Sequence, residues 1–276
     1  MDNRGEPLSL MEQSRDEALC RSVLYGALSL GFHRPSREIV EALCSEEARL
    51  ALTDAASLLM DGASKASETL ESAEPGEENE NLAARVNEWV LTFPSLTLEG
   101  WLSAHGRLFG HTARGIVCPY ETEYGQDGLF EQPRQLATIM GFYRAFGLTT
   151  RDAERERADH VSCELEFLDF LCRKDAYALE AGDDTTRNET RKAQRLFLKD
   201  HLGCYGRAFA RVLREHDPDG FFGKLGDVLF DFLTLECRRL RVVPGASLVQ
   251  LRSADDDNVP MACGGQQDLV QLQVPQ

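Results

Sequence analysis

Glu156-Arg-Ala-Asp-His160, running into Val161-Ser-Cys-Glu-Leu-Glu-Phe-Leu-Asp-Phe-Leu171, is the stretch that decides the fold. At about 100° per residue from His160, the residues Val161, Leu165, Phe167, Leu168, Leu171 and Cys172 span roughly −20° to 140°, one apolar face of a helix. Glu166, Asp169 and Arg173 lie opposite, near roughly 180–240°, as a solvated face requires. His160 at zero, Glu164 at about 40° and Asp175 at about 60° fall inside the apolar sector. A carboxylate removed from water costs several kcal/mol without a partner, so these groups need partners. His160 and Glu164 are an i, i+4 pair able to supply each other, and Asp159 stands where a carboxylate meets the free N–H groups of a helix start. Two readings are open. One is a cap and an internal hydrogen bond that fix helix packing. The other is a helix start and polar pair lining a groove for a cationic peptide, where a carboxylate offers Arg bidentate, charge-assisted bonds.

Upstream, Pro119-Tyr-Glu-Thr-Glu-Tyr124 follows the helix expected over about 97–109. It lies within 110–132, a glycine-bearing stretch with little period that is a candidate binding loop. Tyr120 and Tyr124 offer large contact area at low entropy cost, and Glu121 and Glu123 add selectivity for basic groups. The alternative is a loop whose tyrosines plug the core.

Helical signals fill most of the remaining chain. Ser14 with Glu17 reads as a capping box, after which Leu19, Val23, Ala27 and Leu30 recur at helical spacing toward Gly31. Pro35 precedes a second helix, and Ser45-Glu-Glu starts a third running to about Met60. Residues 61–81 are small, polar and acidic and read as a flexible loop. Helices follow at 82–92, 133–146, 158–181 and 188–216, the last broken near Gly203. Another opens at Pro218 on a stripe of Phe221, Leu225, Val228, Leu229, Phe232 and Leu235, and Pro244 closes it. Strand signal is confined to pieces such as Leu240–Val243. The expectation is an all-α, single-domain bundle of about ten helices, with a helical domain over 1–243 and a tail, 244–276, of uncertain structure.

The 276 residues are 42% apolar and 28% charged, ample for a folded core. Acidic residues number 46 against 30 basic, a net charge of −16. That is unfavourable for nucleic-acid backbones and anionic lipid and favourable for a cationic partner. No apolar run approaches the about 18 residues a membrane span needs, and no secretory signal is visible. Eight cysteines without a CxxC pair suit a reduced, cytoplasmic protein. No Glu-x-x-His, HExxH, GxSxG, phosphate-binding or dinucleotide-binding motif is present. The expectation is therefore no enzyme, no catalytic residue, no metal ligand and no cofactor.

Three passages resemble the TorD/DmsD/NarJ family of redox-enzyme maturation chaperones. They are Leu102–Phe109 with Pro119-Tyr-Glu-Thr-Glu-Tyr124, Leu136–Leu148, and Glu156–His160 with Glu164-Leu-Glu-Phe-Leu168. Order and spacing fit, and flanking helices extend the likeness over roughly 15–240. The wording is closest to chaperones serving type II enzymes of the DMSO reductase family. Ala158 stands where the family has Pro, His105-Gly106 replace an acidic-aromatic pair, and Thr122 replaces Ser.

The resemblance implies a TorD-like helical chaperone. It would bind the twin-arginine signal peptide of a molybdenum-containing catalytic subunit and hold that precursor for cofactor insertion and assembly before export. Asp159 and His160 would then contact the signal, with Tyr120, Glu123 and Tyr124 on the adjoining loop and Glu156 and Glu164 completing the set. Monomer and homodimer remain equally compatible. The competing classes are a metal- or nucleotide-dependent helical enzyme and an accessory subunit retained in a mature complex.

Overall fold

The computed structural model describes residues 9–68, 81–110, 115–125, 132–149, 156–249 and 251. Ten α-helices run through them. They are α1 (Leu10–Phe32), α2 (Arg37–Cys44), α3 (Glu46–Glu68), α4 (Leu82–Val90), α5 (Leu98–Phe109), α6 (Gln132–Ala145), α7 (Val161–Ala181), α8 (Asp184–Asp200), α9 (Leu202–His216) and α10 (Phe221–Arg239). The all-α class and helical bundle expected from periodicity are what the chain adopts.

Local chemistry explains most helix starts. Ser36, Asn81, Thr97 and Asp183 each accept a backbone N–H three residues on, satisfying a donor the helix leaves free. α7 ends at Gly182, whose φ of 64° only glycine adopts without strain. α10 closes through Arg241 at φ 54°, with Val242 N–H returning to Cys237 O at 2.8 Å.

Several expected boundaries differ. The capping box that starts α1 is Ser9 with Glu12, not Ser14 with Glu17, and Ser14 instead donates its hydroxyl to Leu10 O inside the helix. The α1 stripe also shifts: Leu19 and Val23 are exposed, while Leu24, Tyr25, Leu28 and Phe32 are buried. α1 packs along α7 and also against α3, which covers faces that a single stripe does not predict. α3 continues to Glu68, so residues 61–68 are helical rather than loop; the rest of that acidic stretch, 69–80, lies outside the described residues. The break between α8 and α9 falls at His201, with φ −133° and ψ −109°. Leu240–Val243 forms no strand. The described residues hold two isolated bridges instead, Tyr120 with His160 and Tyr124 with Leu251.

α7 is the central helix, packed against α1 and α8, while α9 and α10 form a second close pair. A Cβ on Gly206 would stand 2.5 Å from the Leu233 side chain, so glycine permits that approach. Edge-on and tilted aromatic pairs tie the parts together. Trp101 meets Phe221 at 4.6 Å, and Phe109 meets Phe222 at 5.2 Å. On the other side Phe167 of α7 meets Phe197 of α8 at 4.8 Å and Tyr143 of α6 at 5.0 Å. The tail after α10 crosses α9, where Gly245 N–H bonds Gly203 O at 2.8 Å, and reaches Tyr124 at Leu251.

Candidate functional site

The Pro119–Tyr124 loop and the start of α7 are zipped together by their backbones. Val161 N–H donates to Pro119 O at 2.8 Å, and Glu121 N–H donates to Asp159 O at 2.9 Å. The two motifs, far apart in sequence, thus form one wall. Tyr143 of α6 supports it from behind, donating its hydroxyl to Ala158 O at 2.8 Å.

His160, rather than Asp159, caps α7. Its Nδ1 accepts Ser162 N–H at 3.2 Å and lies 2.7 Å from Ser162 Oγ. Burial, with His33, His105 and Arg157 nearby, pushes its pKa down to about 3, so the ring is neutral at pH 7 and Nε2 carries the proton. Tyr120 packs edge-on to it at 5.2 Å.

Asp159 is fully buried and has four donors. Thr122 supplies its N–H at 3.2 Å and its hydroxyl at 2.8 Å, and Arg157 supplies Nε at 3.0 Å and Nη2 at 2.8 Å. Arg157 also reaches Glu123 Oε1 at 3.3 Å and lies over the Tyr120 ring, 4.5 Å from its centroid. The guanidinium that Asp159 was expected to meet is therefore one from its own chain.

The i, i+4 pair expected between His160 and Glu164 does not form, because the His160 ring turns back to cap the helix. Glu164 instead accepts the Tyr205 hydroxyl at 3.3 Å. Burial, then the neighbouring Glu121 and Asp159 carboxylates, raise its pKa well above the usual carboxylate range. Glu121 is paired on its other side with His201 Nδ1 at 3.0 Å. Tyr124 donates to Cys118 O at 2.7 Å and packs on Tyr205 at 5.1 Å, so this tyrosine does plug the core.

Outside this wall a groove of about 690 Å³ opens between the last turns of α1, the start of α2 and α7. Leu30 and Ile39 give it apolar surface, and the carboxylates of Glu38, Glu156, Glu166 and Asp169 line it, with His33 and Arg34 at the same face. Glu156 connects groove and wall, since the Tyr120 hydroxyl lies 3.5 Å from its Oε2. Among the seven expected site residues, Glu156 lines the groove and Tyr120 stands beside it, while Asp159, His160, Glu164, Glu123 and Tyr124 are buried behind them. Sequence reasoning missed Arg157, Thr122, His201 and Tyr205. Arg157 had one readable signal, a cation set between Glu156 and Asp159, and Thr122 had its place inside the loop motif; His201 and Tyr205 had none.

Among the described residues no group of three or more His, Cys, Asp or Glu side chains is placed to hold a metal ion. No helix among them is long and apolar enough to cross a membrane.

The stretch that holds this wall has counterparts among known proteins. The family model described as nitrate reductase delta subunit matches residues 74–211, half of the chain, and that span holds both the loop and the start of α7. Over 164 residues the chain is 29% identical to the selenate reductase assembly chaperone protein of Thauera selenatis, covering 57% of this chain and 79% of that protein. It is 35% identical over 125 residues to the chlorate reductase assembly chaperone protein of Ideonella dechloratans, covering 45% and 60%. It is 29% identical over 131 residues to the chaperone protein TorD of Photobacterium profundum, covering 47% and 58%. The chain belongs to the nitrate reductase delta subunit family, the TorD/NarJ-type maturation chaperones.

Proposed function

We propose that this chaperone serves the catalytic subunit of an exported molybdenum-containing oxidoreductase, binding its twin-arginine leader in the cytoplasm while cofactor insertion and assembly proceed. The observation that carries this reading is the groove beside the family motifs. It sets Leu30 and Ile39 among the Glu38, Glu156, Glu166 and Asp169 carboxylates, and a twin-arginine leader is a cationic segment followed by an apolar one. The relatives named as assembly chaperones of selenate and chlorate reductases support the same client class. No reaction is assigned to the chain.

In this reading Glu156 and Tyr120 meet the peptide at the groove edge, and Asp159 with Glu123 receives a guanidinium. His160, Glu164 and Tyr124 hold the wall that presents them. The test is fluorescence anisotropy with synthetic leader peptides of candidate clients, followed by a tagged pull-down from the host cytoplasm. A leader containing Arg-Arg should bind, and Glu156→Gln should weaken it by about threefold or more at low salt. Retention of a molybdoenzyme precursor names the client. If no leader peptide binds and no such precursor is retained, the reading is wrong.

A further inference from the structure

We infer that Arg157 is an internal stand-in for a client arginine: Asp159, Glu123, Thr122 and the Tyr120 ring form an arginine subsite that the chain fills with its own guanidinium until a client guanidinium replaces it. This rests on the proposed function and names how its binding site is gated.

The subsite has the chemistry that separates Arg from Lys. Nε and Nη2 of Arg157 both reach the Asp159 carboxylate, at 3.0 and 2.8 Å, and Nη2 also reaches Thr122 Oγ1 at 2.7 Å. Nη1 lies 3.3 Å from Glu123 Oε1 and the guanidinium lies over Tyr120. A planar fork satisfies all of these at once, whereas an ammonium is a point charge without a fork. Cation–π contact over a tyrosine adds to the preference.

Burial explains why the subsite is not left open. The Asp159 side chain is 0% exposed, and a buried carboxylate stripped of its cation is strongly destabilising. Exchange of one guanidinium for another keeps Asp159 paired throughout. Arg157 is the member suited to leave. Its side chain is 36% exposed, against 0% for Asp159 and 9% for Glu123, and every side-chain hydrogen bond it makes to Asp159, Thr122 or Glu123 is one that an incoming arginine can reproduce. Glu156, the preceding residue, already lines the groove, so the subsite opens beside the proposed peptide path.

The experiment compares Arg-Arg and Lys-Lys leader peptides by anisotropy on the full chain and on Arg157→Ala, Arg157→Lys and Arg34→Ala. Removing the internal competitor should tighten the Arg-Arg peptide about tenfold in Arg157→Ala and Arg157→Lys, with a larger Arg-over-Lys preference. Arg34→Ala, which removes a cation from the groove wall, should favour both peptides equally. Unchanged affinity in both Arg157 variants, or equal gains for both peptides, overturns the inference.

Should Arg157→Ala fold poorly, ethylguanidinium should raise its melting temperature more than ethylammonium does and leave the wild type unmoved. Absence of that rescue also overturns the inference. If the wild type binds no leader, the proposed function fails, and the rescue still reports on the subsite alone.

Discussion

Two buried ion networks flank α7, and they differ in what surrounds their glutamates. Beside Cys172, Glu236 is held by Arg239 through Nε and Nη2, both at 2.8 Å, and by the Tyr25 hydroxyl at 3.1 Å. Burial raises its pKa, and Arg239, Arg21 and Tyr25 lower it by more, so the net shift is downward. At the start of α7, Glu164 is equally buried, but burial is reinforced by Glu121 and Asp159 and the net shift is upward. Burial therefore does not determine protonation; the sign of the neighbours does. Access separates the networks too. The Arg239 side chain is 18% exposed and stays within the bundle, whereas the Arg157 side chain is 36% exposed beside a groove.

The largest effect that would break this comparison is acid. His160 has its pKa pushed from 6.5 to about 3, so the folded state binds fewer protons than the unfolded chain between those values. Stability is present above about pH 6.5 and lost as pH falls toward 3, by up to about 5 kcal/mol at about 1.4 kcal/mol per unit. His160→Asn, which retains a capping side chain, should flatten that dependence in urea melts at pH 7 and pH 4. His105, pushed down to about 4 by burial and Arg34, leaves a smaller slope in the same direction. An unchanged slope in the variant would remove His160 as its source.

Next in size, Arg239→Ala strands Glu236 and should lower unfolding free energy by about 3–5 kcal/mol. Leader affinity, measured on the folded fraction, should not change, because none of that network's residues lines the groove beside the motif wall. A loss of affinity with stability intact would reverse the contrast between the two networks.

Asp159→Asn removes the charge that holds Arg157 and Thr122. It should cost about 1–3 kcal/mol of stability as well as weaken leader binding. A melting temperature equal to wild type would contradict the buried fork.

The smallest effect expected is at Glu164, and it has the opposite sign to that of His160. A folded pKa above the usual carboxylate range means that stability is present at low pH and falls as pH rises through the folded value. Glu164→Gln keeps an acceptor for Tyr205 without the charge. It should raise stability at pH 8 by about 1–2 kcal/mol, with the gain vanishing near pH 4.5. No gain at pH 8 would mean that Glu164 is ionised in the fold.

Legibility in the sequence followed the range of the interaction. Ser36 and Thr97 cap helices that begin where expected, because a cap acts over three residues. Phe221, Leu225, Val228, Leu229 and Phe232 are buried along α10 as their spacing requires, and Leu235 is half-buried. α1 shows the limit of local signals. Ser9-x-x-Glu12 and Ser14-x-x-Glu17 satisfy the same capping pattern, and the upstream one forms. Leu19 and Val23 look like a core stripe until α3 and α7 take other faces of the same helix.

The sequence by itself determined the helical class, the starts of α2, α3 and α5, the apolar sector of α7, and the need for partners at His160, Glu164 and Asp175. Those follow from backbone periodicity and from the cost of burying charge, both readable within one or two turns. Only the tertiary structure decided who the partners are. Thr122 lies 37 residues from Asp159, and Glu121 lies 80 residues from His201. A periodic pattern records that a side chain turns inward, but the group it meets there depends on how distant helices pack.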